Sequence, residues 1–592
     1  QNGDLVTAKG NATLVDSNGS VLFFDEAEIS GDLKEGFARE VQVLLADKSR
    51  MAARLIRRRE GNVNELRRAV YTACDLDCDG EPVWQIKARK VIHDQDDRLM
   101  TYNDAWVELL GIPVFYTPYL AHPDPTADRR SGLLAPAVGG GSNLGFSYAQ
   151  PYYWNIAPDK DATLTPLYTS SAGRGAIGEY RQLFPEGEFS LFGSLVVDDD
   201  DNPKDFRGHI KARARWDIDE RWRMGGDLHL ASDDTFLRRY DFDAPTWLTT
   251  NAFVERFGTQ SYFSVNTYLF QRQRRTVAAG STPLIAPLVD YSFVGKPVRG
   301  GGYFTADASA LALYREDGSD QTRLSTKLGW HVPYISPRGG MYTLRATMRG
   351  DGYYVRDVVD PVTGANFTGF EGRAIPQLSV EWRYPLVSSG ATLTQQLEPI
   401  IQGVISPTGQ NPNTIPNEDS RDFEFDDTNL FSEQRFSGYD RVEGGARVNY
   451  GLRWSAYGNS GKSLDVMVGQ SYRFNKDNTF ALESGLNGHF SDYVGHVTLR
   501  PSSYLDLSYR FRLDQSNFST ERSEFSASVG TNMFRLGANY IFIKPSDASI
   551  VELGEREELF AFFDTRLSKY WSLKGSHRED LGPGGGSIRS SI

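Results

Sequence analysis

From His209 to Ala231 the chain reads HIKARARWDIDERWRMGGDLHLA, and the alternation in it is strict. Ile210, Ala212, Ala214, Trp216 and Ile218 take one parity. His209, Lys211, Arg213, Arg215 and Asp217 take the other. After an Asp219-Glu220 turn, Trp222, Met224, Leu228 and Leu230 alternate with Arg221, Arg223, Asp227 and His229. Side chains of an extended chain point to opposite faces with a period of two, so this is a hairpin with one greasy face and one charged face. The pattern returns in TRLSTKLGWHV (Leu324, Leu328, Trp330, Val332), in MYTLRATMRGDGYYV (Tyr342, Leu344, Ala346, Met348) and in QLSVEWRYPL. Strands of about 10 residues with this polarity are what a lipid-facing, water-filled barrel requires. Hydrocarbon offers backbone amides no partner, so such a sheet has to satisfy its own hydrogen bonds. Trp216, Trp222, Trp330 and Trp382 lie near strand ends, where interfacial aromatic girdles belong.

Composition narrows the classes further. At 592 residues the chain has room for two or more domains. No stretch approaches the roughly 20 apolar residues of a membrane helix. A net charge of −13 argues against nucleic acid as the main partner. No Ser/His/Asp order suggests catalysis, and His93 and His122 lack ligand-spaced partners, which points to surface or lumen positions and to no metal or cofactor. The acidic runs VVDDDDNP (196–203) and NEDSRDFEFDD (417–427) lack calcium-loop spacing and read as solvated loops. Cys74 and Cys78 form a lone C-x3-C, poor for zinc, leaving free thiols or a disulfide in an oxidising compartment.

Up to about residue 125 the strands are shorter. Val6, Ala8, Ala12 and Leu14 share one face, and Val21, Phe23, Ala27 and Ile29 continue the series. Similar units follow in VQVLLADKSRMAARLI and WQIKARKVIHD, a pattern that fits a sandwich, a jelly roll or a short β-helix. Expected domains are 1–125 and 126–592. The chain opens on Gln1 with no signal peptide and stops in GPGGGSIRSSI, so a fragment lacking its last strands is expected.

Four stretches carry a family likeness: WQIKARKVIHDQDDRLMTYNDAWVELLGIPVFYTPYLAHPDP, RRSGLLAPAVGGGSNLGFSYAQPYYWNIAPDKDATLTPLYTS (129–170), QQLEPI, and LFSEQRFSGYDRVEGGARVNYGL (430–452). With them the chain resembles the lipopolysaccharide-assembly proteins of the LptD family, also called organic-solvent-tolerance proteins. The resemblance implies an all-β protein: an N-terminal periplasmic β-jelly roll, then a large antiparallel transmembrane β-barrel, here incomplete at its C-terminal end. The family's barrel is very large, with about 26 strands. Its partners are lipopolysaccharide, the plug lipoprotein LptE, the periplasmic bridge protein LptA and the lipids of a Gram-negative outer membrane. Lipopolysaccharide would leave sideways, between the first and last strands.

The resemblance also implies residue roles. Val6, Ala8, Leu14, Phe23, Ile29 and Val43 would line a groove for acyl chains. Pro136 and Pro151 match the family's prolines in the first and second barrel strands, which weaken pairing at a lateral gate; a proline that merely ends a strand before YYWNIAP is the plainer alternative. Cys74 matches a family cysteine that pairs with one near the C-terminus, and Cys78 is additional. A local Cys74–Cys78 disulfide is sterically open, since cysteines four apart in a turn reach the usual Cα separation of about 4.4 to 6.8 Å. The local Cys74–Cys78 bond is the expectation, with a distant partner for one of them as the alternative. Residues 430–452 read as a structural loop of the barrel mouth in which Asp440, Arg441 and Glu443 pair among themselves. The competing readings are a general porin or nutrient receptor, for which the barrel alone would suffice, and an outer-membrane hydrolase.

Overall fold

The computed structural model describes the chain except residues 1–4, 16–18, 32–33, 46, 75–81, 125–126, 128, 198–205, 274–279, 421–423, 459–460, 477–478, 481–483, 545–555, 569–570 and 592. It divides into two compact units, one of residues 1–213 with 231–244 and one of 214–230 with 245–592.

The first unit begins with an eight-stranded antiparallel meander: β1 (Leu5–Val15), β2 (Val21–Ser30), β3 (Gly36–Leu44), β4 (Arg50–Arg59), β5 (Val63–Thr72), β6 (Trp84–Asp94), β7 (Leu99–Leu109) and β8 (Ile112–Pro123), each bonded to the next. This is the jelly roll. Its core is apolar: Phe24, Val41, Val43, Met51, Ile56, Leu66, Val91, Met100 and Tyr102 are all buried.

The alternation in these strands is not continuous, which corrects one expectation. Asn11, Glu40, Arg68 and Asp104, one in every second strand, hold positive φ angles of 45°, 49°, 52° and 52°. Only at Asn11 does the pairing register shift; at Glu40, Arg68 and Asp104 the register is the same on either side, yet the buried parity changes at this level in β2 to β7. Inward positions run 22, 24 and then 27, 29 in β2, and 100, 102 and then 105, 107 in β7. Phe23 therefore lies on the outer face, 44% exposed, while Phe24 turns into the core. Sheet-wide, these positions form a corner about which the strands bend.

The two histidines expected at the surface or in the lumen belong to this unit too. His93 is buried, with Nε2 2.8 Å from the Asp124 carboxylate. His122 Nδ1 lies 2.7 Å from the Pro123 carbonyl, and its Nε2 lies 2.8 Å from the Tyr102 hydroxyl. A carbonyl only accepts, so Nδ1 carries a proton; burial disfavours a second proton on Nε2, which leaves that nitrogen to accept from Tyr102.

The remaining 27 strand segments form one antiparallel sheet, the barrel of the molecule, which follows chain order from Ala137–Gly141 onward and places the short segment Gly132–Leu133 after the last strand. Along the chain it starts with β9 (Gly132–Leu133), β10 (Ala137–Gly141), β11 (Gly145–Ala149), β12 (Tyr152–Ala157) and β13 (Lys160–Thr169). The chain passes from the first sheet, ending at Pro123, to the second, beginning at Gly132, whereas the compact units divide at residue 213. In the second unit the strands lengthen to 19 residues at Met341–Val359. Their apolar residues face outward in rows: Leu328 stands opposite Met348, Ala346 opposite Leu378, and Leu378 opposite Ile405. Leu328 and Ile405 are 63% and 62% exposed, whereas Arg323, Arg349, Asp351 and Arg373 on the opposite face are buried. That is a soluble protein turned inside out, and it is the polarity a membrane wall requires. In this unit short turns such as 336–340, 390–392 and 503–504 alternate with longer connections such as 407–444 and 474–492. Outer-membrane barrels keep short turns on the periplasmic side and long loops outside.

Two outcomes follow from this packing. Replacing Leu328 by Arg puts a charge on the lipid face and should cost about 2–4 kcal/mol in bilayer unfolding measurements, if the row lies near the midplane. In the jelly roll, burial holds the His122 imidazole below its ordinary value of 6.5. The unfolded chain then binds that proton more readily, so jelly-roll stability should fall as pH drops below about 6.5 and level off beneath the depressed folded value. Protection factors of the β7 and β8 amides, corrected for the intrinsic exchange rate at each pH, should fall between pH ~7.5 and ~5.5, and His122→Gln should flatten that dependence.

Candidate functional site

The expected groove residues separate by position. Ala8, Leu14 and Ile29 are half-buried against the jelly-roll core, and Val43 is inside it. Val6 is half-buried at the start of β1, and Phe23 points away for the reason given above. The core bend brings four of the six together.

Pro136 lies between β9 and β10, and Pro151 between β11 and β12. The second gap is not the end of a strand. β11 and β12 both run along β13 in one register, Ala149 opposite Leu167 and Tyr152 opposite Leu164, so Pro151 interrupts a single stave. Across from it the register slips. Ala137 stands opposite Ala149 but Leu133 opposite Tyr152, which leaves three residues (Leu134, Ala135, Pro136) facing two. One ladder bond survives in the gap, from Leu134 N–H to the Pro151 carbonyl at 2.9 Å. Its reciprocal is impossible because proline has no N–H. The Gln150 side chain supplies a substitute donor, Nε2 to the Leu134 carbonyl at 2.8 Å. A third proline extends the break into the next stave. Gln150 N–H donates to Pro166 at 3.2 Å and Pro166 has nothing to donate back.

Pro136, Pro151 and Pro166 thus stand 15 apart in sequence and close to one level across three staves. The repeat of the same interval could have revealed Pro166, whereas Gln150 left no signal, because its role depends on a carbonyl 16 residues away. Among the described residues, β10 pairs with β11 alone, so it is an edge.

Cys74 carries a free thiol among the described residues, its Sγ 3.8 Å from the Trp84 carbonyl. Cys78 lies outside the described residues, as do 198–203 of the first acidic run.

The second acidic run and the 430–452 segment depart from expectation. They are not a solvated loop but part of a connection folded against the charged inner face of the second unit. Glu418 pairs with Arg315, Asp419 with Arg323, and Asp427 with Arg510 and His496. The Asp440 and Glu443 carboxylates take other partners than Arg441, whose contact within the trio is a donation from Nη1 to the Asp440 backbone carbonyl at 3.2 Å. Asp440 accepts from Arg323 at 2.7 Å and from Gln321 at 3.0 Å. Glu443 is fully buried among Arg435 (2.6 Å), Arg447 (3.4 Å) and Arg473. Arg441 donates to the Ile415 carbonyl at 3.0 Å. Several strands here carry a buried inward arginine (Arg323, Arg349, Arg373, Arg447 and Arg473), and a loop carboxylate gains more from a desolvated guanidinium than from a neighbour on its own turn. Gly438, at φ 66°, makes this possible: a Cβ there would strike the Asp419 carboxylate. Beneath the charges, Phe425 and Leu430 of the loop pack with Met467, Leu486 and Val494. Among the described residues no group of His, Cys, Asp and Glu could hold a metal ion.

A jelly roll with an apolar core, followed in the chain by a large antiparallel sheet that is charged on one face and apolar on the other, defines an all-β protein with a membrane β-barrel. The chain belongs to the LptD family: the family model described as LPS transport system D matches residues 205–571, more than half of it. Similar proteins are the LPS-assembly protein LptD of Nitrosococcus oceani, 30% identical over 454 residues, 74% of this chain and 59% of that one. That of Sodalis glossinidius is 27% identical over 466 residues, 74% and 57%. That of Salmonella typhimurium is 26% identical over 560 residues, 88% and 67%. The chain therefore spans less than two thirds of the length of the first two. Among solved structures the copper transporter OprC covers 81% of this chain, at 10% identity and a TM-score of 0.27, too low to bear on the fold.

Removing the central loop carboxylate tests the inner network. Glu443→Gln leaves three arginines packed around a neutral group, and should destabilise the second unit by about 3–5 kcal/mol in denaturant unfolding in micelles. A loss below about 1 kcal/mol would mean that the loop is held by its apolar contacts instead.

Proposed function

We propose that this chain is a lipopolysaccharide translocon component in the outer membrane of a Gram-negative bacterium, its jelly roll in the periplasm. It receives lipopolysaccharide from a periplasmic bridge protein of the LptA kind and inserts it into the outer leaflet through a lateral gate at β10. The observation that carries the reading is the proline line: an edge strand with a broken ladder, in a wall whose outer face is apolar and whose inner face is charged.

Physical chemistry favours two compartments for such a cargo. Each CH2 of an acyl chain costs about 0.8 kcal/mol to expose to water, so the tails need a dry path. The phosphorylated sugars need a wet one. The jelly-roll interior offers the first and the arginine-lined barrel the second. β1 is an edge strand, bonded to β2 alone among the described residues, and it suits strand addition by the bridge protein. A plug lipoprotein of the LptE kind would occupy lumen that the 407–444 connection leaves open. No step here calls for catalysis or a cofactor, and the disulfide chemistry of Cys74 stays with a partner outside the described residues.

Photocrosslinkers placed at Ala8, Leu14, Ile29 and Val43 in cells should capture lipopolysaccharide, and one at Phe23 should not. Solute uptake with no adduct at any inward position would favour a porin. Replacing Pro136 and Pro151 by alanine restores two ladder donors and should slow the appearance of new lipopolysaccharide at the cell surface several-fold. Unchanged delivery in the double variant would remove the gate assignment.

A further inference from the structure

The proline line crosses two junctions, that of β9/β10 with β11/β12 and that of β11/β12 with β13, yet only one of them is left unclamped above the break. At the lower end, Asp161 at the start of β13 is 3% exposed and gathers three side chains. The Arg129 guanidinium pairs with it, Arg181 Nε donates at 2.9 Å, and the Tyr153 hydroxyl donates at 3.3 Å. The same knot sews the incoming chain to β12. Arg129 Nη1 donates to the Pro158 carbonyl at 3.1 Å, Asn155 Nδ2 to the Arg129 carbonyl at 3.0 Å, and Asn155 N–H to the Ser131 hydroxyl at 2.9 Å.

At the upper end, β11 is fastened to the turn that follows β13. Phe146 N–H donates to the Ser170 hydroxyl and Ser170 N–H to the Phe146 carbonyl, both at 2.9 Å, while Ser171 N–H reaches the Leu144 carbonyl at 3.2 Å. Gly145, at φ 64°, permits this approach, since a Cβ there would collide with both serine hydroxyls. That turn is covered in its own right. The Tyr240 hydroxyl donates to the Ala172 carbonyl at 2.6 Å, and Phe236, Leu237 and Ala172 are fully buried around it. Asp233 accepts from Arg207 at 2.9 Å and from Phe236 N–H at 3.0 Å, which fixes the covering loop.

Between these clamps stands β10, five residues with all side chains exposed, three of them glycine, and Cβ space open at Gly140 and Gly141. We propose that the moving leaf of the gate is Ala137–Gly141 alone, hinged at Ala135-Pro136 and at the Ser142–Leu144 turn, and that Asp161 and Tyr240 are positioning residues that keep the stave behind it still. The inference rests on the lateral-gate reading and adds what moves. Opening then breaks the five register pairs between β10 and β11, from Ala137↔Ala149 to Gly141↔Gly145, and leaves the β12–β13 ladder intact.

Two engineered disulfides in the full chain, assembled in its native membrane, separate the possibilities. Ala137→Cys with Ala149→Cys joins register partners above the break, and Leu133→Cys with Tyr152→Cys joins partners below it. Surface arrival of lipopolysaccharide is measured on the same cells before and after reduction, so a folding defect shows as failure to recover. The upper lock should lower delivery at least tenfold, with recovery on reduction, while the lower lock stays within twofold of the reduced state. Asp161→Asn should speed amide exchange in Tyr152–Ala157 and reduce delivery, and Asp161→Glu should restore both. If both locks block delivery, the whole stave moves and the leaf assignment fails while the gate stands. If neither blocks it, the gate reading falls as well.

Discussion

In hydrocarbon a backbone N–H or C=O has no substitute for its ladder partner, and each one left unpaired costs several kcal/mol. The barrel obeys that constraint through long unbroken registers, sixteen pairs between Asp320–Ile335 and Met341–Val359 for example. The first staves are built against it. Prolines delete donors at one level, and Gln150 stands in for one of them with a side-chain amide. A side-chain donor can rotate away, whereas a backbone donor moves only with its strand. The break is therefore patched by a reversible contact, which holds the resting wall without fixing it.

The inner face follows a different rule. Buried ion pairs seldom add net stability over apolar contacts, but they are costly to separate singly. The Glu443 carboxylate meets three guanidinium groups and the Asp440 carboxylate one, that of Arg323 across 117 residues of sequence. A loop held this way can occupy one arrangement against the strands and few others. Charge here fixes position more than it adds stability, and leaves the rest of the lumen polar.

Periodicity made the barrel wall legible, because lipid enforces the period of two over many residues and the second-unit strands keep one phase. The same argument failed at Phe23, beside the place where β1 carries an extra residue at positive-φ Asn11 and the buried parity of β2 changes from Phe24 to Ala27. Pro136 and Pro151 could be found because their spacing and motif are local. The partners of Asp440 and Glu443 could not: alternation shows that a strand has an inward face, but not which loop carboxylate folds onto it. The buried roles of His93 and His122 were hidden likewise, since their partners Asp124 and Tyr102 are set by the fold of β6 to β8.

The placement of clamps relative to prolines also bears on why the weakness does not spread. A ladder weakened at one level would ordinarily fray toward its nearest free end, because terminal pairs are lost before internal ones. Here the two ends of the second stave carry strong contacts, a desolvated carboxylate below and a capped turn above, so fraying is stopped on both sides. The first stave has the lower clamp only. In the proposed gate, asymmetry of that kind would confine the motion to one short segment. The glycines of β10 lower the barrier to that motion while contributing no side chain to the passage it would open.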